Sequence, residues 1–208
     1  MPPKHISVIK STVLRRIIMH SGGKDLVLFE GKLAQEFGVS RTPIRQVMQA
    51  LASEWLVEVK SGIGTVVAPL LPERRLNDIK AFSVALRTCA ECTSDTQTIR
   101  ASIEIATIRT HLEQSKDRLE SDPYFEASTM FANCLADLVD DGILRDALIA
   151  CYWRFVRRRM ADHKGDLDLA VKELVRLAKD AEYGAQGGQA EGILRMVSGT
   201  VEGLAETA

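Results

Sequence analysis

The chain is poor in the residues that mark several protein classes. It has four cysteines in 208 residues (Cys89, Cys92, Cys134, Cys151) and four histidines (His5, His20, His111, His163). So few thiols do not make a secreted disulfide scaffold; they point to reduced cysteines in a cytoplasmic protein. Cys89-Ala-Glu-Cys92 has C-x-x-C spacing, but no second pair stands at zinc-like spacing, and small buried hydrophobes are the simpler reading. No uninterrupted apolar run approaches the roughly 18 residues of a membrane span, and the first residues lack a signal-peptide h-region. A glycine-rich phosphate loop, paired carboxylates in a plausible site and a Ser/His/Asp set are all missing, which argues against an enzyme. Net charge is small, −1, and looks unpromising for a nucleic-acid binder until the chain is divided. Residues 1–68 hold nine Lys/Arg against five Asp/Glu, a net of +4, and residues 69–208 hold eighteen against twenty-three, a net of −5. The positive charge is concentrated in the first third. A hydrophobic content of 46% is enough for a substantial core.

What is present is concentrated in residues 33–66, LAQEFGVSRTPIRQVMQALASEWLVEVKSGIGTV. Leu33, Ala34 and Phe37 make the apolar side of a helix of about two turns, which Gly38 stops because glycine takes left-handed backbone angles at little cost. Val39 fills the corner. Ser40 suits the N-cap of a second helix, and Pro43 is tolerated in its first turn, where N–H groups lack helical partners. Ile44, Val47, Met48 and Leu51 recur at i, i+3, i+4 and i+7 and predict one core-facing stripe. The opposite face carries Arg41, Thr42, Arg45, Gln46 and Gln49. A planar arginine fork pairs bidentately with guanine O6 and N7, and glutamine does the same with adenine N6 and N7. Ser40 and Thr42 stand at a helix N-terminus, where N–H groups and the dipole favour a phosphate. Val57, Val59, Val66 and Val67 flank Lys60-Ser61-Gly62-Ile63-Gly64-Thr65 and predict a two-stranded wing with a glycine-containing loop; Lys60 would add a contact that positions without reading sequence. Upstream, Ile6, Ile9, Val13 and Ile17 at helical spacing supply a helix that closes the small core. Each polar residue alone fits an ordinary solvated face. Together, in the order helix, turn, helix, wing, they predict a winged helix-turn-helix that docks in the major groove of DNA.

Residues 5–68 resemble the GntR family of bacterial transcription regulators. Leu33-Ala34, Phe37-Gly38-Val39-Ser40-Arg41-Thr42-Pro43-Ile44-Arg45 and Gly62-Ile63-Gly64-Thr65 carry the resemblance. It implies that Arg41 and Arg45 read bases or the groove edge, and that Ser40, Thr42 and Pro43 contact or approach the backbone. Gly62, beside Ser61, would sit at the wing tip near the minor groove. Two departures matter. Glu54-Trp55 stands where relatives have glycine after the reading helix, and Trp55 takes a left-handed cap less cheaply, so an irregular exit is expected. Gly31, with Lys32 beside it, stands where some relatives have an arginine, so one phosphate or base contact is expected to shift or disappear.

Ala68-Pro69-Leu70-Leu71-Pro72 reads as a linker, assigned to residues 69–72, between a DNA-binding domain of residues 1–68 and a second domain of residues 73–208. Beyond it helices are predicted near 73–93, 95–119, 123–139, 142–162, 167–184 and 189–205. Ser94 or Asp95 can cap the second, Asp122-Pro123 opens the third, and Gly142, Gly165 and the 184–188 stretch punctuate the rest. Phe131, Leu135 and Leu138, then Leu144, Leu148, Cys151 and Phe155, recur three and four apart, which predicts an antiparallel all-α bundle and a mainly α fold overall. Arg157-Arg158-Arg159 reads as a cationic fringe near a helix end, with binding of an anion or of DNA phosphates as the lesser alternative.

Within the family, a helical C-terminal domain of this size implies the FadR-type branch, in which that domain senses a ligand and dimerises. Many such domains hold a divalent metal with one aspartate and three histidines. The counterpart of their Asp-x-x-Phe-His word is Ser128-Thr129-Met130-Phe131-Ala132, and the last two helices contain no histidine, so no metal and no cofactor are expected. His111 and His163 read as surface or partly buried helix residues. Candidates to hold a small organic acid effector are Arg87, Arg100, Tyr152 and Arg154. The plainer readings are an i,i+4 ion pair for Arg100 and Glu104, and packing or a dimer seam for the Tyr152-Trp153 patch. The expectation is a cytoplasmic homodimeric regulator, a repressor as is more frequent in this family, without a membrane partner. It would bind a near-palindromic double-stranded operator under small-molecule control. The alternative keeps the DNA-binding domain and makes the helical domain a dimerisation scaffold alone.

Overall fold

A computed structural model describes residues 4–20, 26–60, 64–93, 95–114 and 121–206. The expected wing-tip residues Ser61 and Gly62, the alternative cap Ser94 and the expected helix end at 115–119 lie outside them.

The N-terminal head is built on local patterns. Helix α1 (Lys4–Met19) forms one wall, with Ile9, Val13, Leu14, Ile17 and Ile18 buried at its three- and four-residue spacing. Helix α2 (Glu30–Phe37) ends at Gly38, whose φ of 63° turns the chain so that the Val39 N–H reaches Ala34 O at 3.0 Å. Helix α3 (Arg41–Ser53) follows, with Ser40 in the N-cap position in extended conformation but without the expected side-chain hydrogen bond. Its exit is not irregular. Trp55 takes a φ of 60°, its N–H reaches Ala52 O at 3.0 Å and the Leu56 N–H reaches Leu51 O at 3.0 Å. This is a Schellman closure with tryptophan in glycine's seat. The indole is 73% exposed, so the strain stays in the backbone and no core contact opposes it.

Strands β2 (Val57–Lys60) and β3 (Gly64–Val67) form the expected wing, paired antiparallel from Val57↔Val67 to Lys60↔Gly64. A third strand, β1 (Val27–Leu28), adds to β3 through Val27↔Val66 and Leu28↔Thr65, giving the order β1-β3-β2. Two residues are too few to show alternation, so this strand is missed by a reading of periodicity.

Six helices complete the described residues: α4 (Arg75–Ala90), α5 (Thr98–Gln114), α6 (Ser121–Asp137), α7 (Gly142–Asp162), α8 (Leu167–Ala185) and α9 (Ala190–Glu206). They close a ring: α4 packs on α7 and α9, α9 on α8, α8 on α5, α5 on α6, and α6 on α7. Aromatic side chains fill it. Phe82, Phe131, Tyr152 and Phe155 are fully buried, and the Phe82 ring lies 5.4 Å from Tyr152 and 5.1 Å from Phe155. Asp141 and Asp166 cap α7 and α8 by accepting from the N–H groups of Leu144 and Leu169. Asp95 does not cap the adjacent α5; its carboxylate accepts from the Ala190 N–H at 2.8 Å, tying the start of α9 to the α4–α5 connection. Gly184 is not punctuation either. It lies inside α8 against Gly192 of α9, where an added Cβ would sit 2.3 Å from the Gly192 carbonyl oxygen.

Head and bundle share one apolar core cluster, and α1 packs against α7. The linker is strapped at both ends. The Ala68 N–H bonds Leu56 O at 3.0 Å, and Arg158 Nη2 donates to Leu71 O at 2.9 Å.

Candidate nucleic-acid interface

Helix α3 divides cleanly into two faces. Ile44, Val47, Met48 and Leu51 are each at most 3% exposed and hold the helix to α1 and α2. Arg41, Thr42, Arg45, Gln46 and Gln49 are all exposed on the other side, and Pro43 is half-buried at the helix start. Burial of the apolar stripe therefore orients the polar set outward as a rigid array. Ser40, free of a capping bond, leaves its hydroxyl at the N-terminus beside the first helical N–H groups.

The neighbouring α2 shapes this array. Arg45 Nε donates to Glu30 Oε2 at 2.9 Å across the turn, with the arginine side chain 63% exposed. Gly31, the departure from the arginine of some relatives, lies under Arg41: a Cβ there would be 3.5 Å from an Arg41 guanidinium nitrogen. A Cβ there would make only an ordinary van der Waals contact with the guanidinium. Lys32 stands nearby with its ammonium 5.1 Å from the Phe29 ring centre. Lys60 is exposed at the end of β2 opposite Gly64. Arg16 and Glu36 pair on the α1–α2 side; the hydrogen bond to Arg16 holds the Glu36 carboxyl below the usual range.

The four candidate effector residues are not brought together. Arg87 on α4 pairs with Glu202 of α9. Arg100 pairs with Glu104 at 2.7 Å on the outside of α5, the plainer of its two readings. Tyr152 is inside the ring, beside Ser128 and Tyr124, and burial raises its phenol well above its ordinary pKa. Arg154 faces the head and pairs with Asp78. The cationic run that ends α7 is a correction to the sequence reading. Arg157 and Arg158 are each 5% exposed, not a solvated fringe; Arg158 Nη2 meets Asp78 Oδ2 at 2.8 Å, and Arg159 meets Glu173 at 2.7 Å.

His111 is exposed and His163 is half-buried, 3.3 Å from Glu173. Among the described residues no three His, Cys, Asp or Glu side chains gather to hold a metal. Cys89 and Cys134 are buried, whereas Cys92 is exposed, against the expectation of a buried pair, and none of the four is in a disulfide. Burial pushes the Cys89 thiol up to about 11.

A helix-turn-helix closed by α1, followed by an antiparallel wing, with a rigid polar face on its second helix, defines a winged-helix DNA-binding protein. Residues 23–67 match the family described as bacterial regulatory proteins, gntR family. The head therefore resembles that family, and helices α4 to α9 add a helical C-terminal domain to it. No curated protein sequence matches the chain. Among solved structures it is similar to E. coli McbR/YncC, with a TM-score of 0.67 and 13% identity over 99% of this chain and 97% of the other. It is also similar to a GntR transcriptional regulator from Rhodococcus sp. RHA1, with a TM-score of 0.64 and 13% identity over 99% and 97%. At such identity these neighbours speak for the fold. Among the described residues no helix is long and apolar enough to cross a membrane.

Proposed function

We propose that the chain is a cytoplasmic repressor that binds a near-palindromic operator as a homodimer, one head on each half-site. The exposed polar face of α3 opposite its buried stripe carries this reading. Arg41, Arg45, Gln46 and Gln49 meet base edges, while Lys32, Ser40, Thr42, Pro43, Lys60 and Ser61 lie along the backbone and Gly62 near the minor groove. Arg45 exchanges Glu30 for the groove, a cheap exchange because an exposed ion pair contributes little. A small organic acid in the helical domain shifts the placement of the two heads by binding one arrangement better than the other. No metal or cofactor enters this reading.

The scattering of Arg87, Arg100, Tyr152 and Arg154, and the aromatic filling of the ring, favour a second reading in which the helical domain only dimerises. A thermal-shift screen with small carboxylates and sugar acids separates the two, since silence across the panel supports the scaffold. The DNA reading is tested by titrating the protein with duplex from upstream of its own gene beside a scrambled duplex at physiological salt. A preference on the order of 10³ supports it. Equal, weak and strongly salt-dependent binding to that duplex and to any other genomic fragment counts against it.

A further inference from the structure

We infer that the cleft between the head and the helical ring is a binding site for a small oxyanion, a phosphate or carboxylate group on a compact body. The cleft has a volume of about 350 Å3. Trp55 and Glu58 wall it from the head, residues 68–71 of the linker cross it, and Arg74, Asp78, Arg154 and Arg157 face it from the bundle side. It lies beyond the C-terminal end of α3. That helix has 13 residues, so the cleft is about 20 Å along the helix axis from the reading end, and DNA phosphates held there do not account for it.

Arg157 is what makes this a site. It is 5% exposed, its Nε is buried without a hydrogen-bond partner, and among the described residues no carboxylate pairs with it. Buried charges are normally paired, because desolvation is otherwise uncompensated. The neighbouring acid is already engaged: Asp78 Oδ1 accepts from Arg154 and Oδ2 from Arg158. Among the residues lining the cleft, Arg74, Arg154 and Arg157 stand against Asp78 and Glu58, an excess of one positive charge, with buried Arg158 on the far oxygen of Asp78. Burial, then the adjacent Arg158, push the Arg157 guanidinium down to about 10, with Asp78 pulling partly the other way. An oxyanion beside Arg157 supplies the missing acceptor and the missing charge together, with Arg74 at the exposed mouth. The ligand would touch head, linker and bundle at once. Resting on the DNA reading above, its occupancy would bias the placement of the head, because a ligand spanning two bodies favours the arrangement that closes on it.

The test uses the full chain without DNA. Sodium phosphate and, separately, sodium succinate are titrated against sodium chloride at matched ionic strength, followed by Trp55 fluorescence and thermal unfolding. A Trp55→Phe chain separates the cleft signal from that of buried Trp153. A saturable response to one or both probes is expected, weakened about tenfold or more in Arg157→Met; which probe saturates identifies the group. Responses indistinguishable from chloride for both probes, or unchanged affinity in Arg157→Met, overturn the site. Should Arg157→Met fold poorly, the exposed Arg74→Gln decides: a weakened saturable response supports the site and an unchanged one overturns it. Failure here leaves the DNA reading intact, and failure to find an operator leaves this binding result intact.

Discussion

Two pairs of arginines in this molecule do opposite things. On α3, Arg41 and Arg45 are exposed, one over Gly31 and the other on Glu30. On α7, Arg157 and Arg158 are each 5% exposed, and Asp78 takes two of the three nearby guanidiniums. The exposed pair keeps most of its hydration, so its contacts are weak and replaceable, as the proposed reading of base edges requires. The buried pair has already lost its water, so removing Asp78, the partner of Arg158, leaves charge stranded in a poor dielectric. Arginines a few residues apart stay open to solvent on one helix and form a structural joint on the other. Burial, not composition, sets the difference.

The contrast is broken most directly at Asp78. Replacing it with alanine strands Arg154 and Arg158 and should cost about 3–5 kcal/mol, read by chemical denaturation; a loss under about 1 kcal/mol would mean the joint is solvated after all. The converse holds at Arg45. Arg45→Ala should leave stability within about 0.5 kcal/mol while weakening specific DNA binding by about 1–3 kcal/mol and relaxing preference at one base pair. Equal losses on specific and random duplex would remove Arg45 from the base-reading set.

Glycines sharpen the same comparison within the bundle. Gly184→Ala pushes a methyl into the Gly192 carbonyl at 2.3 Å and should cost about 1–3 kcal/mol. Gly199→Ala in α9, where an added Cβ meets nothing within 4 Å, should instead stabilise by about 0.5–1 kcal/mol. Melting temperatures that move together in the two variants would refute the close α8–α9 approach. The smallest effect belongs to the head. Trp55→Gly relieves a left-handed backbone at φ 60° and should stabilise by up to about 1 kcal/mol. Destabilisation instead would show that the exposed indole contributes contacts worth more than the strain.

Much of the head is legible in the amino-acid sequence. Its stripe on α3, the turn at Gly38 and the wing around Gly64 depend on neighbours within a few residues, so periodicity and glycine placement announce them. The bundle helices were legible in extent for the same reason, while their caps were not: Asp95 serves a helix start 95 residues further on. The burial of the cationic run on α7 is not legible in the sequence, because Asp78, the partner of Arg158, lies 80 residues upstream and nothing local marks a guanidinium as buried. The exit at Trp55 was expected to be irregular because the residue suits a left-handed cap poorly. The geometry kept the Schellman bonds and put the mismatch into an exposed side chain.

The amino-acid sequence by itself determined the winged head, the polar face of its second helix and the helical character of the rest, since these follow from short-range spacing and backbone preference. Only the tertiary structure decided which arginines are exposed and which are joints, where α8 and α9 meet glycine to glycine, and that Arg157 stands in a cleft whose acids do not pair with it. Those outcomes depend on the company a side chain keeps after folding. Desolvation and pairing act through space between segments tens of residues apart, and one-dimensional order does not encode that proximity in a locally readable form.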